Sequence, residues 1–444
     1  MTFNTLLFIF MFLPIAILVD RLLPKVFLKN IWLFLISLVF YGWGNWKVAL
    51  LLFILVVWNY LSAIEFDTMQ PGKARTISFW VSVGVNLAVL TFYKLLNVGI
   101  DNFPLPVGLS FYLFSSISYL ADVYMHKTKA NHNFIEVGLY IGFFGKLLMG
   151  PIEQYADMAD QLAHRKGDMS GSVLFIRGLA KKVVLADQFA IVYGMLTSNH
   201  SFIGTWLMVL AFSLQLYFDF SGYSDMAIGI SRIFGFQIHE NFNHPYIAKN
   251  AQDFWRRWHI SLSKWFRNYV YIPLKGNRCP TPIHLRNIFI VWFFTGIWHG
   301  LNGAYLAWAM YYAIILILEE FYIRKALDKM PSFVSHIYAI VIIAIGWVFF
   351  MSGSLSESFQ TLGRMFAIGT TGMMDTKAVF MLTSYFLFFV VGIIFSMPVF
   401  DSIEHVLYKY THKWGIVALY VLLFVVCLAF IVGSSFQTFL YAAF

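Results

Sequence analysis

Charged side chains are scarce in this chain: Asp, Glu, Lys and Arg make up 12% of its 444 residues, against about 25% in a typical soluble domain. Hydrophobic residues account for 60%. A soluble fold of this length could not bury so much apolar surface, whereas a chain that crosses the lipid bilayer can expose it to hydrocarbon. The composition therefore predicts an all-α polytopic membrane protein with the bilayer as a partner.

Cysteine is also rare, and the signatures of several enzyme classes are missing. The two cysteines, Cys279 and Cys427, indicate neither a disulfide framework nor a thiolate metal site. The sequence contains no P-loop, dinucleotide fingerprint, HExxH motif or serine nucleophile elbow, so ATP hydrolysis and zinc proteolysis have no support. No internal repeat is visible, which makes a duplicated transporter less attractive. We expect no bound cofactor and no metal.

Basic residues outnumber acidic ones, and the net charge is +9. In a soluble protein this excess would suggest nucleic acid, but here we expect it in short cytoplasmic loops and expect no nucleic-acid partner. The first basic residues, Arg21, Lys25 and Lys29, follow the opening apolar run. By the positive-inside rule that end of the run is cytoplasmic, so the N-terminus is predicted to be extracytoplasmic.

Long apolar runs occur along most of the chain, and a transmembrane helix needs about 20 such residues. Run 104–124 begins PLPVG and is rich in serine, so we expect it to be re-entrant or broken. Run 202–234 is too long for one simple crossing. The pattern predicts about nine to twelve spans. The candidates are 3–22, 30–45, 47–66, 76–97, 104–124, 134–150, 172–196, 202–234, 286–299, 302–321, 335–352, 377–399 and 414–440.

The stretch 251–287 differs from these runs because it contains seven Lys or Arg and one Asp. At 100° per residue, its large apolar side chains share an arc of about 120° and the basic ones lie outside it; Ile260 is the exception. This pattern predicts an amphipathic helix over 251–275 on the cytoplasmic side. An interfacial anchor with no further role is the simpler alternative. The arc comprises Phe254, Trp255, Trp258, Leu262, Trp265, Phe266 and Tyr269.

One histidine, His299, lies inside an apolar run of about 30 residues. An ionisable group at bilayer depth costs several kcal/mol unless it is paired or lines a water-filled cavity, so such a residue marks a candidate functional site. Neutral His can accept a proton near neutral pH, as a general base must. Gly296, Gly300 and Gly303 surround it and leave room for a substrate or for a neighbouring helix. The alternative is a structural His bonded to a backbone carbonyl at a helix kink.

A second histidine, His259, lies at the edge of the apolar arc, 40 residues before His299. The sequence does not show whether the two approach each other, and a boundary His on an interfacial helix is an equal alternative. His239 and His244 lie in a polar loop and are given no catalytic role.

Two aspartates, Asp219 and Asp225, interrupt an apolar stretch over 214–236. Gln215 and Asp219 are four residues apart and share a helix face. Asp225 and Arg232 are seven apart, too far to pair directly. A buried polar network that fixes the helix bundle is at least as good an interpretation as catalysis.

Three sequence blocks stand in a fixed order: YFDFSGYSDMAIGISRIFGF, then ENFNHPYIAKNAQDFWRRWHISLSKWFRNYVYIPLKGNR, then TGIWHGLNGAYLAW. In this order and spacing they resemble the membrane-bound O-acyltransferase (MBOAT) family, and most closely its bacterial branch of the alginate O-acetyltransferase type. The segments LPVGLSFYLFSSISYLADVY, GPIEQY and FNTLLFIFMFLPI extend the resemblance over most of the chain. The last 120 residues carry little of it.

The resemblance implies a single domain over 1–444, with its core motifs in 104–320, built as a ring of tilted helices around a central funnel. In this family the His of the WHG block, His299 here, is regarded as catalytic, and the His of the RRWHISLS block, His259 here, is the second important one. Residues expected to bind substrate or line the tunnel are Trp298, Gly300, Asn302, Trp255, Arg256, Arg257, Trp258, Ser261, Ser263, Asp219, Asp225, Tyr223 and Gln215.

The function implied is a membrane O-acyltransferase of the bacterial cytoplasmic (inner) membrane. It would move acetyl from cytoplasmic acetyl-CoA to a hydroxyl of an extracytoplasmic polysaccharide or of a protein that relays the acetyl group. D-alanyl transfer to teichoic acid from the phosphopantetheine of an acyl carrier protein is an alternative, although Asp225, usually absent from that branch, favours acetyl, as does the PLKGNR run. A transporter or flippase of acyl or glycan groups is another, which the blocks around both histidines disfavour.

Overall fold

Helices are the only regular elements in the computed structural model, which describes residues 1–100, 103, 105–433 and 438–440. The predicted runs 104–124 and 414–440 therefore lie partly outside the described residues. The chain divides into two compact units: residues 1–179 with 223–240, and residues 180–222 with 241–440.

The first unit contains the buried side chain of Arg165. Its guanidinium bonds Asp20 at 2.8 Å, Asn30 at 2.8 Å and the Phe234 carbonyl at 2.6 Å. These bonds satisfy a cation that would be costly to bury alone. The elements here are a π-helical turn Phe8–Phe12, α1 (Leu13–Leu22), α2 (Val26–Gly42), α3 (Trp46–Thr68), α4 (Lys73–Gly99), α5 (Leu109–Tyr124), α6 (Phe134–Gly142), α7 (Phe144–Leu147), α8 (Tyr155–His164) and α9 (Gly171–Ala180).

The second unit contains both histidines singled out in the sequence. Its elements are a π-helical segment Lys181–Ala186, α10 (Asp187–Leu196), most of α11 (Phe202–Ile233), a 3-10 turn Pro245–Ile247, α12 (Ala251–Arg257), α13 (Ile260–Phe266), a π-helical segment Arg267–Tyr271, α14 (Thr281–His299), α15 (Gly303–Leu318), a π-helical segment Glu319–Ile323, α16 (Arg324–Leu327), α17 (Ser332–Met351), α18 (Leu355–Met365), α19 (Thr376–Ser384), α20 (Phe386–Phe395) and α21 (Val399–Gly433).

Six of the described helices are long and apolar enough to cross a membrane, or seven if the bent pair α19–α20 is one span. Five of them are α3, α4, α11, α17 and α21, and the sixth is the continuous helical stretch Gly303–Leu327, which joins α15 to α16. The remaining predicted runs form shorter helices, such as α2, or broken ones. The chain is thus a multi-pass, all-helical membrane protein.

The long run 202–234 forms one unbroken helix, α11, of 32 residues. At a rise of about 1.5 Å per residue it is about 48 Å long, well beyond the hydrocarbon thickness of about 30 Å. In the most apolar 18-residue stretch of α11, 78% is buried, whereas only 11% of the corresponding stretch of α21 is buried. The helix α11 is therefore an interior element, whereas α21 offers most of its surface to the surroundings.

The prediction of a single amphipathic helix over 251–275 is wrong. α12 ends at Arg257, Trp258 is extended, and His259 adopts a left-handed conformation with φ +45° before α13 begins. The cause is a tertiary contact that helical periodicity cannot detect: the Ile260 N–H donates to the Asn241 carbonyl at 3.0 Å. The aromatic side chains also pack on protein, since Trp258 is 1% exposed and its ring lies 4.9 Å from that of Trp347 on α17.

Candidate active site

His299 is the last residue of α14 and is 4% exposed. Four aromatic rings from α14, α15 and α17 enclose the imidazole. Trp308 and Phe350 present their rings at nearly right angles to it, with centroids 4.9 Å and 5.0 Å away. The adjacent Trp298 lies at 4.5 Å and Tyr305 at 6.2 Å. Protein side chains, rather than lipid tails, therefore surround this imidazole.

The glycines around His299 allow α14 and α15 to approach each other. A Cβ on Gly296 would lie 2.8 Å from the Ala309 Cβ, and one on Gly300 would lie 2.5 Å from the Tyr305 ring. Of the two roles expected for these glycines, close packing of a neighbouring helix is the one visible here. Asn302 caps α15, because its Oδ1 accepts the Tyr305 N–H at 2.9 Å. Such a cap satisfies a backbone donor that the helix leaves open.

His259 lies at the break between α12 and α13 and is 3% exposed. Its Nδ1 is 3.2 Å from Oδ1 of Asn241. The Ser261 N–H points at the same Asn241 atom, at 3.1 Å, as does the Ser261 hydroxyl, at 2.9 Å. Because a backbone N–H can only donate, that atom is the amide oxygen, so Nδ1 of His259 carries the hydrogen and Nε2 is the acceptor nitrogen.

Burial lowers the pKa of His259 to about 3. The imidazole is therefore neutral throughout the physiological pH range. Its ring also packs edge-on against Phe220 of α11, with 4.7 Å between centroids. The position and the tautomer of His259 are thus fixed from two directions, by Asn241 and by Phe220.

Both histidines contact the same indole. The centroid of the Trp298 ring is 4.5 Å from that of His299 and 6.2 Å from that of His259. The structure therefore brings together two residues that are 40 positions apart. The sequence left this question open.

The other predicted residues of 251–275 are divided between packing and exposed positions. Trp255 lies edge-on to Trp308 at 5.7 Å, so it extends the aromatic enclosure of His299 by one ring. Arg257 is bonded to Asp253 at 2.9 Å. Arg256 and Ser263 are exposed.

Asp219 forms a buried ion pair with Lys182, 2.7 Å away. This contact fits the structural alternative given for Asp219, a polar network within the bundle. Gln215, one turn earlier on the same face of α11, is half-buried.

Tyr223 and Asp225 lie on the part of α11 that belongs to the first unit. There the buried Tyr223 stacks on Phe3, with 4.9 Å between ring centroids. Asp225 is half-buried.

Comparison with known proteins identifies the group to which these histidine blocks belong. Residues 21–357 match the model of the membrane-bound O-acyltransferase family, and this stretch is well over half of the chain. The chain belongs to the membrane-bound O-acyltransferase family. It is therefore an acyltransferase, and both histidines lie within the matched region.

Relatives of this acyltransferase include proteins named for O-acetyl transfer. A probable alginate O-acetylase of Pseudomonas aeruginosa is 36% identical over 397 residues, covering 83% of this chain and 76% of that protein. The peptidoglycan O-acetyltransferase of Helicobacter pylori is 34% identical over 428 residues, covering 84% and 80%. A teichoic acid D-alanyltransferase of Bacillus subtilis is 30% identical over 247 residues, covering 51% and 62%. These similarities favour an O-acetyltransferase.

Several residues of the candidate site were not found from the sequence. Asn241 contacts the His259 ring and accepts the backbone N–H groups of Ile260 and Ser261, yet it lies in a loop whose pattern indicates only polarity. Phe350 reaches His299 from a helix about 50 residues further on, and apolar spacing gives no sign of that contact. The family blocks carry the only usable signal, because they join the two histidines to one group of proteins.

A separate group of possible metal ligands lies in the first unit. Single ligand atoms of Glu153, Asp157 and His239 all fall within 4.8 Å of one another. The Glu153 carboxylate already accepts the backbone N–H of His239 at 2.7 Å, and its other oxygen lies 2.8 Å from the Nδ1 atom of the His239 ring. A cation could bind there only by displacing the contact between the two side chains.

Proposed function

We propose that this acyltransferase moves acetyl from acetyl-CoA, supplied in the cytoplasm, to a hydroxyl of an extracytoplasmic polysaccharide or of a relay protein. The observation that carries the proposal is the placement of His259 and His299 on one indole, deep in an aromatic enclosure, in a chain whose relatives are named for O-acetyl transfer. No cofactor is required, since acetyl-CoA is a co-substrate.

His299 is assigned the general base. It takes the proton of the acceptor hydroxyl while that oxygen attacks the thioester carbonyl, and a C–O bond forms. The C–S bond then breaks, and the thiolate of coenzyme A receives the proton from His299 and leaves as the thiol. The proton taken from the acceptor is thus returned to the leaving group, and the products are the acetyl ester and free coenzyme A.

His259 is assigned a positioning role. Its low pKa makes it a poor base, and its Nδ1–H is directed to Asn241. The Nε2 lone pair can accept a hydrogen bond from an amide N–H of the pantetheine arm or from the acceptor hydroxyl. A donor to the oxyanion must come from another group, because neutral His259 in this tautomer has no hydrogen left to donate.

Trp308 supplies a candidate oxyanion donor. Its indole is 1% exposed and lies 4.9 Å from the His299 ring. Within the described part of the chain, the buried Nε1–H of Trp308 has no hydrogen-bond partner. A buried donor held in this way can bind the carbonyl oxygen as its negative charge develops, at no cost of reorganisation.

The charge distribution supports a donor that arrives from the cytoplasm. Arg256 is exposed beside the break at His259, where its guanidinium can meet phosphate oxygens of coenzyme A. We place the basic segment that contains Arg256 at the cytoplasmic face of a bacterial inner membrane, because positively charged residues favour that side. By the same rule, the basic residues that follow the first apolar run predict an extracytoplasmic N-terminus.

D-alanyl transfer from an acyl carrier protein is the second candidate, favoured by the partial similarity to teichoic acid D-alanyltransferase. To distinguish the two candidates, purified protein is incubated with envelope glycans and either acetyl-CoA or a D-alanyl carrier protein, and ester formation is measured. We expect acetyl ester formation and release of free coenzyme A. Transfer from the carrier alone would establish the second candidate, and substrate flux across vesicles without any ester product would establish a transporter.

The acceptor is identified by mass spectrometry of envelope glycans from cells with and without the protein. O-acetyl groups should disappear from one polysaccharide when the protein is absent. Unchanged acetylation of every glycan would contradict the proposal.

A further inference from the structure

A buried ion pair lies away from the histidines in the second unit. The Lys182 Nζ, in the π-helical segment Lys181–Ala186, is 2.7 Å from Asp219 and 2.8 Å from Asp187. Lys182 is 1% exposed and Asp219 is 2% exposed. Charges buried this deeply are tolerated only while their partners stay in place. The pair therefore fixes the position of α11 relative to the start of α10.

Residues Thr438–Leu440 bind both charges of this pair. The Leu440 N–H donates to Asp219 Oδ2 at 2.7 Å, and Lys182 donates to the Thr438 carbonyl at 3.2 Å. The Lys182 Nζ also lies 4.5 Å from the centroid of the Phe439 ring, which is 3% exposed. Charge-assisted hydrogen bonds and cation–π contacts are among the stronger local interactions. We call Lys182 and Thr438–Leu440 the C-terminal clamp.

The turn of α11 that the clamp holds is also the turn that meets His259. Tyr217 and Phe220 are three residues apart and share a helix face. Phe220 packs edge-on against His259 at 4.7 Å, and the Tyr217 ring lies 6.3 Å from that of Trp258. Asp219, between them in the chain, is bound by the clamp. One helical turn is therefore fixed by the clamp and packs against Trp258 and His259, at the break between α12 and α13.

We propose that the C-terminal clamp positions the turn 217–220 of α11 and, through Phe220, holds the His259 ring for acetyl transfer. The inference rests on the function proposed above. Lys182 is a positioning residue, since it acts through α11 rather than on the reacting atoms. Displacement of a positioned group by about 1 Å can lower a rate about a hundredfold, so loss of the clamp should appear in turnover.

The most selective variant is Leu440→Pro, which removes one backbone N–H while it leaves all three charged side chains in place. We expect kcat for acetyl transfer to fall about tenfold or more, with the KM for acetyl-CoA changed less than about twofold. Thr438→Ala is the matched control, because the clamp uses only the carbonyl of that residue, and it should behave as wild type. Lys182→Arg should retain more activity than Lys182→Met.

A second readout follows His259 without any turnover. Phe220 lies edge-on to the His259 ring, so ring-current shifts should mark the His259 signals in histidine-selective NMR of the solubilised protein, assigned with a His259→Gln variant. Leu440→Pro should move these signals and Thr438→Ala should not. Phe439→Leu, which keeps apolar bulk but removes the ring, gives the same comparison if Leu440→Pro does not purify.

A wild-type kcat in Leu440→Pro would overturn the proposal. Lost activity with unmoved His259 signals would also overturn it, because the loss would then not act through the position of His259. A wild-type protein that transfers no acetyl group would instead refute the proposed function. In that case the NMR comparison still decides whether the clamp positions His259.

Discussion

The Nδ1 atom of His259 lies 3.2 Å from the amide oxygen of Asn241. The same oxygen accepts the Ser261 N–H at 3.1 Å, so one side chain fixes both the break between α12 and α13 and the tautomer of the imidazole. His259 has a left-handed backbone conformation, with φ +45°, which is unfavourable for most non-glycine residues. Asn241 therefore stabilises a local geometry that the segment 251–275 would not adopt by itself.

Replacement of Asn241 by Ala should destabilise the protein. The buried Ser261 N–H and the His259 Nδ1–H would lose their acceptor, at a cost of about 1–3 kcal/mol for an unsatisfied buried group. Thermal unfolding in detergent would measure the loss. Asn243→Ala is the matched control, because Asn243 is exposed and bonds through its backbone. Equal effects of the two substitutions would show that the Asn241 amide has no special role.

Acid should destabilise the fold through His259. Burial lowers its pKa from 6.5 to about 3 in the folded state, so between these values the unfolded chain binds the extra proton. The stability contributed by neutral His259 is complete above pH 6.5. It is lost as the pH falls towards 3, at about 1.4 kcal/mol per pH unit. Unfolding of wild type and His259→Gln, compared from pH 7 to pH 4, should show a shallower decline in the variant. Parallel curves would mean that His259 is not buried in its neutral form.

Trp308→Phe should slow acetyl transfer while it keeps the aromatic enclosure. The substitution removes the indole N–H but leaves a ring beside His299, so the loss should fall on kcat, by about a hundredfold, with little change in KM. Trp292→Phe is the control, since Trp292 packs on Trp308 at 5.7 Å but lies outside the enclosure of His299. A wild-type kcat in Trp308→Phe would remove this donor from the mechanism.

Gly300→Ala should distort the end of α14. Its Cβ would lie 2.5 Å from the Tyr305 ring, and such overpacking costs about 1–3 kcal/mol. Gly303→Ala serves as the comparison, because the nearest atom to its Cβ is 3.9 Å away. Thermal unfolding should separate the two, and the double variant Gly300→Ala/Tyr305→Ala should recover part of the loss. A fully stable Gly300→Ala would show that α15 can move away.

The sequence predicted the membrane class and the family, because these depend on composition and on contiguous blocks. It also singled out the two histidines, whose roles in the reaction stay predictions. It failed at 251–275, where a long-range bond from Asn241 interrupts a helix that local periodicity favours. Asp219 shows the same limit: its partner Lys182 is 37 residues away, and no spacing rule connects them.

The glycines illustrate a different limit. Gly296 and Gly300 were expected to leave room for either a substrate or a helix, and small size alone cannot decide between the two. Only the position of α15 shows that Ala309 and Tyr305 fill the space.

The most direct test of the mechanism is the acetyl-transfer rate of His299→Gln. It is measured with purified protein, acetyl-CoA and, as acceptor, the glycan that loses its O-acetyl groups in cells without the protein. His164→Ala is the control, since that histidine is exposed on α8 and its ion-pair partner among the described residues is Asp160. We expect His299→Gln to insert, to purify as wild type does and to transfer acetyl at no more than the background rate, while the control keeps full activity. Wild-type turnover by His299→Gln would contradict the assignment of this imidazole as the base.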